Sequence, residues 1–314
     1  MTAEYDCIVV GGGAAGLSAA LVLGRARRRT LLVDAGDQSN LPAHGVGGLL
    51  GFDGRPPAEL YALGREQLTQ YPSVEVITGE VVDGADLGNG FRLVLADDSE
   101  RTTRRVLLAT GVEYRPPGVP GLRELWGSTV FHCPFCHGWE VRDQPLAVLA
   151  NGEKALHATL LIRNWTDDVV LLTDGRVDID ADGLALLDRA GVPIDARRVE
   201  EVAAENGRLS AVVFTDGSRL ERSGLMVATT LHQRTKLADQ LGAMSHEHGP
   251  VVTDPIDIDG LGRTTVAGLF AAGDVCTQAP QVATAIATGS VAATAVVQSL
   301  LTDDTGLPFP PRNI

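Results

Sequence analysis

The chain has only four cysteines in 314 residues, too few to staple a fold of this length with disulfides. Basic residues are scarce as well: 26 Lys and Arg face 40 Asp and Glu, leaving a formal charge of −14. That balance disfavours nucleic acid and anionic membrane surfaces as partners. The opening residues MTAEYDCIVV lack a basic n-region and run straight into an apolar strand, so no secretory signal is expected. A cytoplasmic location is the resulting expectation. Charge is missing from Val282–Leu301, but this stretch is rich in Ala and Thr and has Leu only at its end. Membrane spans lean on Leu, Ile and Phe, so it reads as a helix buried in the protein.

What is present points to an α/β protein. Apolar residues make up 44% of the chain, with abundant Gly and Ala, and the length favours two domains. Tyr5–Val10 reads as a short buried strand, followed by a glycine-rich turn, a helix over about Ala14–Arg25 and a strand from Thr30 ending at Asp34. After a Gly- and Pro-rich loop (Leu41–Pro57) comes a helix over Ala58–Gln70. Val74–Val82, Phe91–Leu95 and Arg104–Ala109 read as strands, with turns at Asp83-Gly84, Gly88-Asn-Gly90 and Asp97-Asp98. Arg115–Gly121 is a connector. A second α/β pattern runs through Leu146–Ala150, a helix at Lys154–Asn164 and a strand at Val169–Leu172. Hairpin turns at Asn206-Gly207 and Asp216-Gly217 lead to a closing strand, Leu225–Ala228. A hairpin-like stretch follows from Leu237. The expected architecture is two Rossmann-type domains, the second (116–233) inserted into the first (1–115 and 234–314).

Gly11, Gly13 and Gly16 form G-x-G-x-x-G between the first strand and its helix. The first glycine permits the tight turn, the second lets backbone approach a pyrophosphate, and the third lets helix and strand pack closely. Ala14 and Ala15 open the helix whose N-terminus faces the phosphates. Asp34 ends the second strand, where a carboxylate can accept from an adenosine ribose. Leu108-Ala109-Thr-Gly111 and Ala271-Ala-Gly273-Asp274 match the remaining dinucleotide motifs of two-domain flavoproteins, in the right order. FAD is the expected cofactor.

The segment His132-Cys133-Pro-Phe-Cys136-His137 carries the redox chemistry. Two thiols so spaced can close into a disulfide and reopen, exchanging two electrons each time. Exchange needs thiolate, and a free thiol has a pKa near ~8.5, so a neighbouring base matters. His137 is the leading candidate and His132 the second. A zinc site needs four convergent ligands, which one short loop without a distant second C-x-x-C supplies poorly. The formal haem-attachment pattern C-x-x-C-H requires export. No metal is expected. Cys7 and Cys276 read as packed thiols. His44, His157, His232, His246 and His248 read as surface or loop residues, and Phe135 and Trp139 flank the thiols.

These motifs make the chain resemble the low-molecular-weight thioredoxin reductases over essentially its full length. The resemblance implies a homodimer, Asp274 on the flavin chain, Gln281 near the flavin ring, Cys136 as the flavin-proximal thiol and Cys133 as the one that exchanges with substrate. Two departures stand out. His137 replaces the family's Asp after the second Cys. The inserted domain has Ala150-Asn-Gly-Glu-Lys-Ala155 where a second glycine motif belongs, and Asp174 where positive charge is needed for NADPH. An intact thiol pair with an eroded NADPH turn is similar to the dithiol oxidases, closest to the gliotoxin- and holomycin-type enzymes. The function implied is FAD-dependent closure of an intramolecular disulfide in a small-molecule dithiol, with O2 as acceptor and H2O2 as product. A disulfide reductase fed by NADPH or another donor is the alternative.

Overall fold

Tyr5–Val10 (β1) is apolar along both faces, which suits a strand covered from both sides. In the computed structural model, which describes residues 3–246, 249 and 251–312, it sits inside a larger parallel array. The first run of elements continues with α1 (Ala14–Arg25), β2 (Thr30–Asp34), α2 (Pro57–Leu68), β3 (Val74–Thr78), β4 (Val81–Asp86), β5 (Phe91–Leu95), β6 (Glu100–Leu108) and β7 (Val112–Arg115). The sheet order is β3-β2-β1-β6-β5-β4. Its strands are parallel from β3 to β6 and antiparallel through the β4–β5–β6 meander.

The middle of the chain forms a second sheet. Its elements are β8 (Val130–Phe131), α3 (Pro134–His137), β9 (Leu146–Leu149), α4 (Gly152–Ile162), β10 (Val169–Leu172), α5 (Ala181–Arg189), β11 (Ile194–Asp195), β12 (Val199–Glu205), β13 (Arg208–Phe214), β14 (Arg219–Glu221) and β15 (Gly224–Val227). Strands β11-β10-β9-β15-β8 make a parallel sheet, and β12-β13-β14 an antiparallel one. Asn206 and Gly207 both take positive φ in the β12–β13 turn, as a two-residue hairpin requires. The chain then returns through β16 (Thr230–Gln233), paired with β7, then α6 (Leu237–Gln240), β17 (Leu269–Ala271) and α7 (Val282–Thr305).

Two compact units result: Met1–Leu41, Pro57–Tyr114 and Thr230–Ile314 form one, and Pro42–Pro56 with Arg115–Thr229 form the other. Residues 42–56, read from sequence with the first domain, group with the second unit, where the backbone at Gly47 abuts Cys136. Strand β17 completes the first sheet by pairing parallel to β6. Its neighbour α7 is the one described helix long and apolar enough to cross a membrane. A face of α7 carrying Ala285, Gly289, Ala292 and Val296 is buried, and it packs along α1. A Cβ on Gly289 would overlap the Ala15 carbonyl, so the two backbones are nearly touching.

Two local expectations fail. Val74–Val82 is two strands, broken at Gly79. Asp83-Gly84 lies inside β4, where the glycine makes room for Leu93, Leu237 and Leu241. The hairpin-like stretch opens on the short helix α6 and then comes back antiparallel, with Ser245 bridging Ile256.

Candidate functional site

In the first unit, the turn between β1 and α1 is a cradle of backbone. Gly11 has φ +108, and a Cβ there would overlap the Ala109 carbonyl oxygen. A Cβ on Gly16 would overlap the Gly11 carbonyl, so the helix can begin only one glycine's width from the strand. Gly13 caps α1 in extended conformation without a side-chain cap, and Ala14 and Ala15 form its first turn. The helix N-terminus carries no acidic residue in its first turn, which leaves its positive end available for phosphate. Ala109 follows β6 and bonds Val10 through its N–H at 2.8 Å, and Gly111 turns the chain at φ +65.

Asp34 is buried at the end of β2. Its Oδ1 accepts from the Gly36 N–H and the Gln38 amide, both at 2.9 Å, and Oδ2 accepts from Arg65 at 3.1 Å. Asp34, Gln38, Tyr61, Arg65, Val76 and Thr78 line a cleft of about 340 Å³. Gln38, Tyr61 and Arg65 were not singled out from sequence: each lies outside a motif, and α2 reaches the cleft only through the fold.

Gly273 and Asp274 follow β17, with Gly273 at φ +81 and its N–H on Thr288 Oγ1 at 3.0 Å. Asp274 is half-buried as a residue, but its Oδ1 is enclosed and has no hydrogen-bond partner among the described residues. Burial pushes this carboxyl up from the usual 3.8 to about 6. A buried, unsatisfied carboxylate calls for a donor, and the neighbouring glycine cradle fits a dinucleotide. Gln281 caps α7 and is exposed. Cys7 sits in the core and Cys276 is half-buried. Burial raises both thiols, Cys276 to about 12, so neither is a thiolate at neutral pH.

In the second unit, Cys133 and Cys136 are joined as a disulfide across α3, with Cα atoms 5.4 Å apart. Cys133 is the extended N-cap and Pro134 the first helical residue, the position where a missing N–H costs nothing. His137 stacks on Phe131 with ring centroids 5.7 Å apart, and His132 stacks on Trp126 at 5.8 Å. His137 Nε2 donates to the Gly127 carbonyl at 3.2 Å, and Nδ1 is buried with no partner among the described residues. Burial lowers the pKa of both imidazoles, that of His132 to about 4. Phe135 and Trp139 beside the disulfide are 61% and 65% exposed. His44, His157 and His246 are exposed and His232 half-buried; His248 lies outside the described residues.

The second glycine turn of this unit is closed by its own side chain. Asn151 Oδ1 accepts from the N–H groups of Gly152 at 3.0 Å and Asp178 at 2.8 Å. Its Nδ2 donates to the Arg176 carbonyl at 2.5 Å. Asp174 accepts from the Val199 N–H at 2.8 Å, and Glu153 sits in the first turn of α4. Arg163 bonds the Ala190 carbonyl and Asp167 at the far end of α4. The Gly152 amide at the head of α4 is taken up by Asn151, and Glu153 and Asp174 add two carboxylates beside the turn. These residues do not fit a pyridine nucleotide.

A family model described as pyridine nucleotide-disulphide oxidoreductase matches residues 5–289. The thioredoxin reductase tcpT of Claviceps purpurea is 32% identical over 312 residues, covering 96% of each chain. The thioredoxin reductase of Bacillus subtilis is 29% identical over 305 residues, 93% of each. Among solved structures, HlmI superposes with a TM-score of 0.91 at 37% identity over 98% of this chain and 96% of its own. An oxidoreductase from Agrobacterium tumefaciens gives 0.89 at 38% identity, covering 95% and 99%.

Proposed function

The chain belongs to the pyridine nucleotide-disulphide oxidoreductase family, and from that premise we propose that it is a dithiol oxidase, closing a disulfide in a small-molecule dithiol at the expense of O2. It is a flavin-dependent oxidoreductase with FAD as cofactor. Gly11, Gly13, Ala14, Ala15 and Gly16 would hold the pyrophosphate, with Asp34 on the ribose side. Ala109, Gly111, Gly273, Asp274 and Gln281 would hold the flavin half. Bound there, FAD supplies a two-electron acceptor for the thiol pair and a donor for O2.

The observation that carries this direction is the Asn151 closure. A reductase of this fold takes electrons at that turn; here the turn is bonded to itself. The thiols are the remaining entry. A substrate thiolate attacks Cys133 Sγ, breaking the Cys133–Cys136 bond and releasing Cys136 as thiolate. The second substrate thiol attacks the substrate sulfur held on Cys133, forming the cyclic disulfide and freeing Cys133. Two electrons now rest on the cysteine pair, and reoxidising it restores the enzyme. The overall balance is dithiol plus O2 to cyclic disulfide plus H2O2.

His137 serves as the base. Its Nε2–H is committed to Gly127, so Nδ1 is the free lone pair, and the lowered pKa keeps that nitrogen unprotonated at neutral pH. A cytoplasmic homodimer completes the reading. The test is an oxygen-electrode assay with a small dithiol. One O2 consumed and one H2O2 formed per disulfide supports the proposal, and no oxygen uptake with any dithiol rejects it.

A further inference from the structure

A redox turn works only if its sulfurs are held in line for exchange, and this turn cannot hold itself. Helix α3 is a single turn of four residues, and its first backbone bonds are the N–H groups of Cys136 and His137 to the Cys133 carbonyl, both at 3.2 Å. One turn is far below the length at which a helix is stable alone. Its support must come from packing.

That packing centres on Gly138, the residue after His137. Gly138 is buried at φ −64 and ψ −32, ordinary helical angles that any residue adopts and at which alanine is the better former. Backbone conformation therefore gives no reason for glycine here. Space does. A Cβ on Gly138 would lie 2.9 Å from both Cδ2 and Cε2 of Trp165 and 3.0 Å from Cδ1, over the heart of the indole. The same indole meets the Phe135 ring edge-on, with centroids 5.5 Å apart at 81°. Trp165 thus touches the turn at a residue between the cysteines and at the residue that ends it. Its own backbone is fixed: its N–H donates to the Ile162 carbonyl at 3.0 Å, and its carbonyl accepts from the Asp143 N–H at 2.9 Å. A second contact comes from Gly47, where a Cβ would stand 2.7 Å from the Cys136 carbonyl oxygen.

We propose that Trp165 is a positioning residue for the Cys133–Cys136 pair, seating the redox turn through Gly138 and Phe135 so that the sulfurs keep bonding register. It acts through the turn, by its contacts with Gly138 and Phe135. The inference deepens the dithiol-oxidase reading and rests on it for the thiol relay.

The experiment uses the FAD-loaded enzyme with dithiothreitol as the probe. Thiol exchange at the disulfide is timed, and its equilibrium against dithiothreitol measured, for the parent, Trp165→Ala, Trp165→Phe and Gly138→Ala. In Trp165→Ala, exchange falls roughly 10–100-fold, as sub-ångström misplacement of reacting groups predicts, and the equilibrium moves about tenfold toward the dithiol, equivalent to roughly 30 mV. Trp165→Phe recovers most of both. Gly138→Ala, which pushes on the indole from the other side, reproduces the defect while leaving Trp165 intact. A merely structural tryptophan would lower thermal stability and leave the exchange equilibrium unmoved. Trp165→Ala matching the parent in rate and equilibrium overturns the positioning role alone. A parent that does not exchange with dithiols at all overturns the relay, and this inference with it.

Discussion

His137 donates from Nε2 to the carbonyl oxygen of Gly127 across 3.2 Å, which fixes the tautomer and leaves Nδ1 as a buried lone pair. A carbonyl can only accept, so the proton has one place to be. Burial is the main cause of the lowered pKa. The nitrogen stays unprotonated through neutral pH and is lost as a base only when pH falls below the usual imidazole range near ~6.5. His137→Ala should therefore slow thiol exchange by roughly 10²–10⁴-fold at pH 7. The deficit should shrink toward pH ~8.5, where thiols ionise unaided. Stopped-flow rates across pH check this; a variant profile overlaying the parent's removes His137 from the mechanism.

Cys136→Ser should bind FAD normally and fail to turn over. The remaining Cys133 is then a free thiol with no disulfide for a substrate thiolate to open, so a reduced dithiol should leave it unmodified. Oxygen uptake with a small dithiol reads the loss of turnover. Full dithiol oxidation by the variant would exclude the relay.

How much of this was legible beforehand depended on whether the signal was local. The turn Gly11–Gly16 lies between a strand and a helix that follow it immediately, so spacing alone located both, and Ala14–Arg25 matched to the residue. The thiol turn was equally local. Arg65 and Tyr61 were invisible because α2 reaches Asp34 only through tertiary packing. Trp165 carries no local signal for the same reason: it lies far along the chain from Gly138. Helix α5 is capped by Asp180, which accepts from the Gly183 N–H at 2.8 Å, but the glycine in its first turn hides the helical pattern in the sequence. The Asp83-Gly84 pair misled because glycine there answers crowding from Leu237, not a turn.

Asp274 gives a prediction with two signs. Its folded pKa, about 6, lies above the usual 3.8, so the folded apoprotein holds that proton more tightly than the unfolded chain. The stabilisation is present below the unfolded value and is lost as pH rises through about 6. Asp274→Asn should thus stabilise the apoprotein at pH 8 in thermal melts. It should also weaken FAD binding about 10–100-fold through the lost charged hydrogen bond. Unchanged FAD affinity would remove Asp274 from the cofactor site.

Asn151→Ala should cost roughly 1–2 kcal/mol in urea unfolding, since it frees two N–H groups and a carbonyl at a helix start. NADPH should remain inert with this variant, because Glu153 and Asp174 still flank the turn. Stability equal to the parent's would mean that the Asn151 bonds do not hold the turn shut.

The most direct test is an anaerobic titration of the FAD-loaded enzyme, following visible flavin absorbance. Stoichiometric dithiol should bleach it through the Cys133–Cys136 pair, whereas excess NADPH should leave it unchanged. Rapid bleaching by NADPH with no response to dithiols would contradict the account.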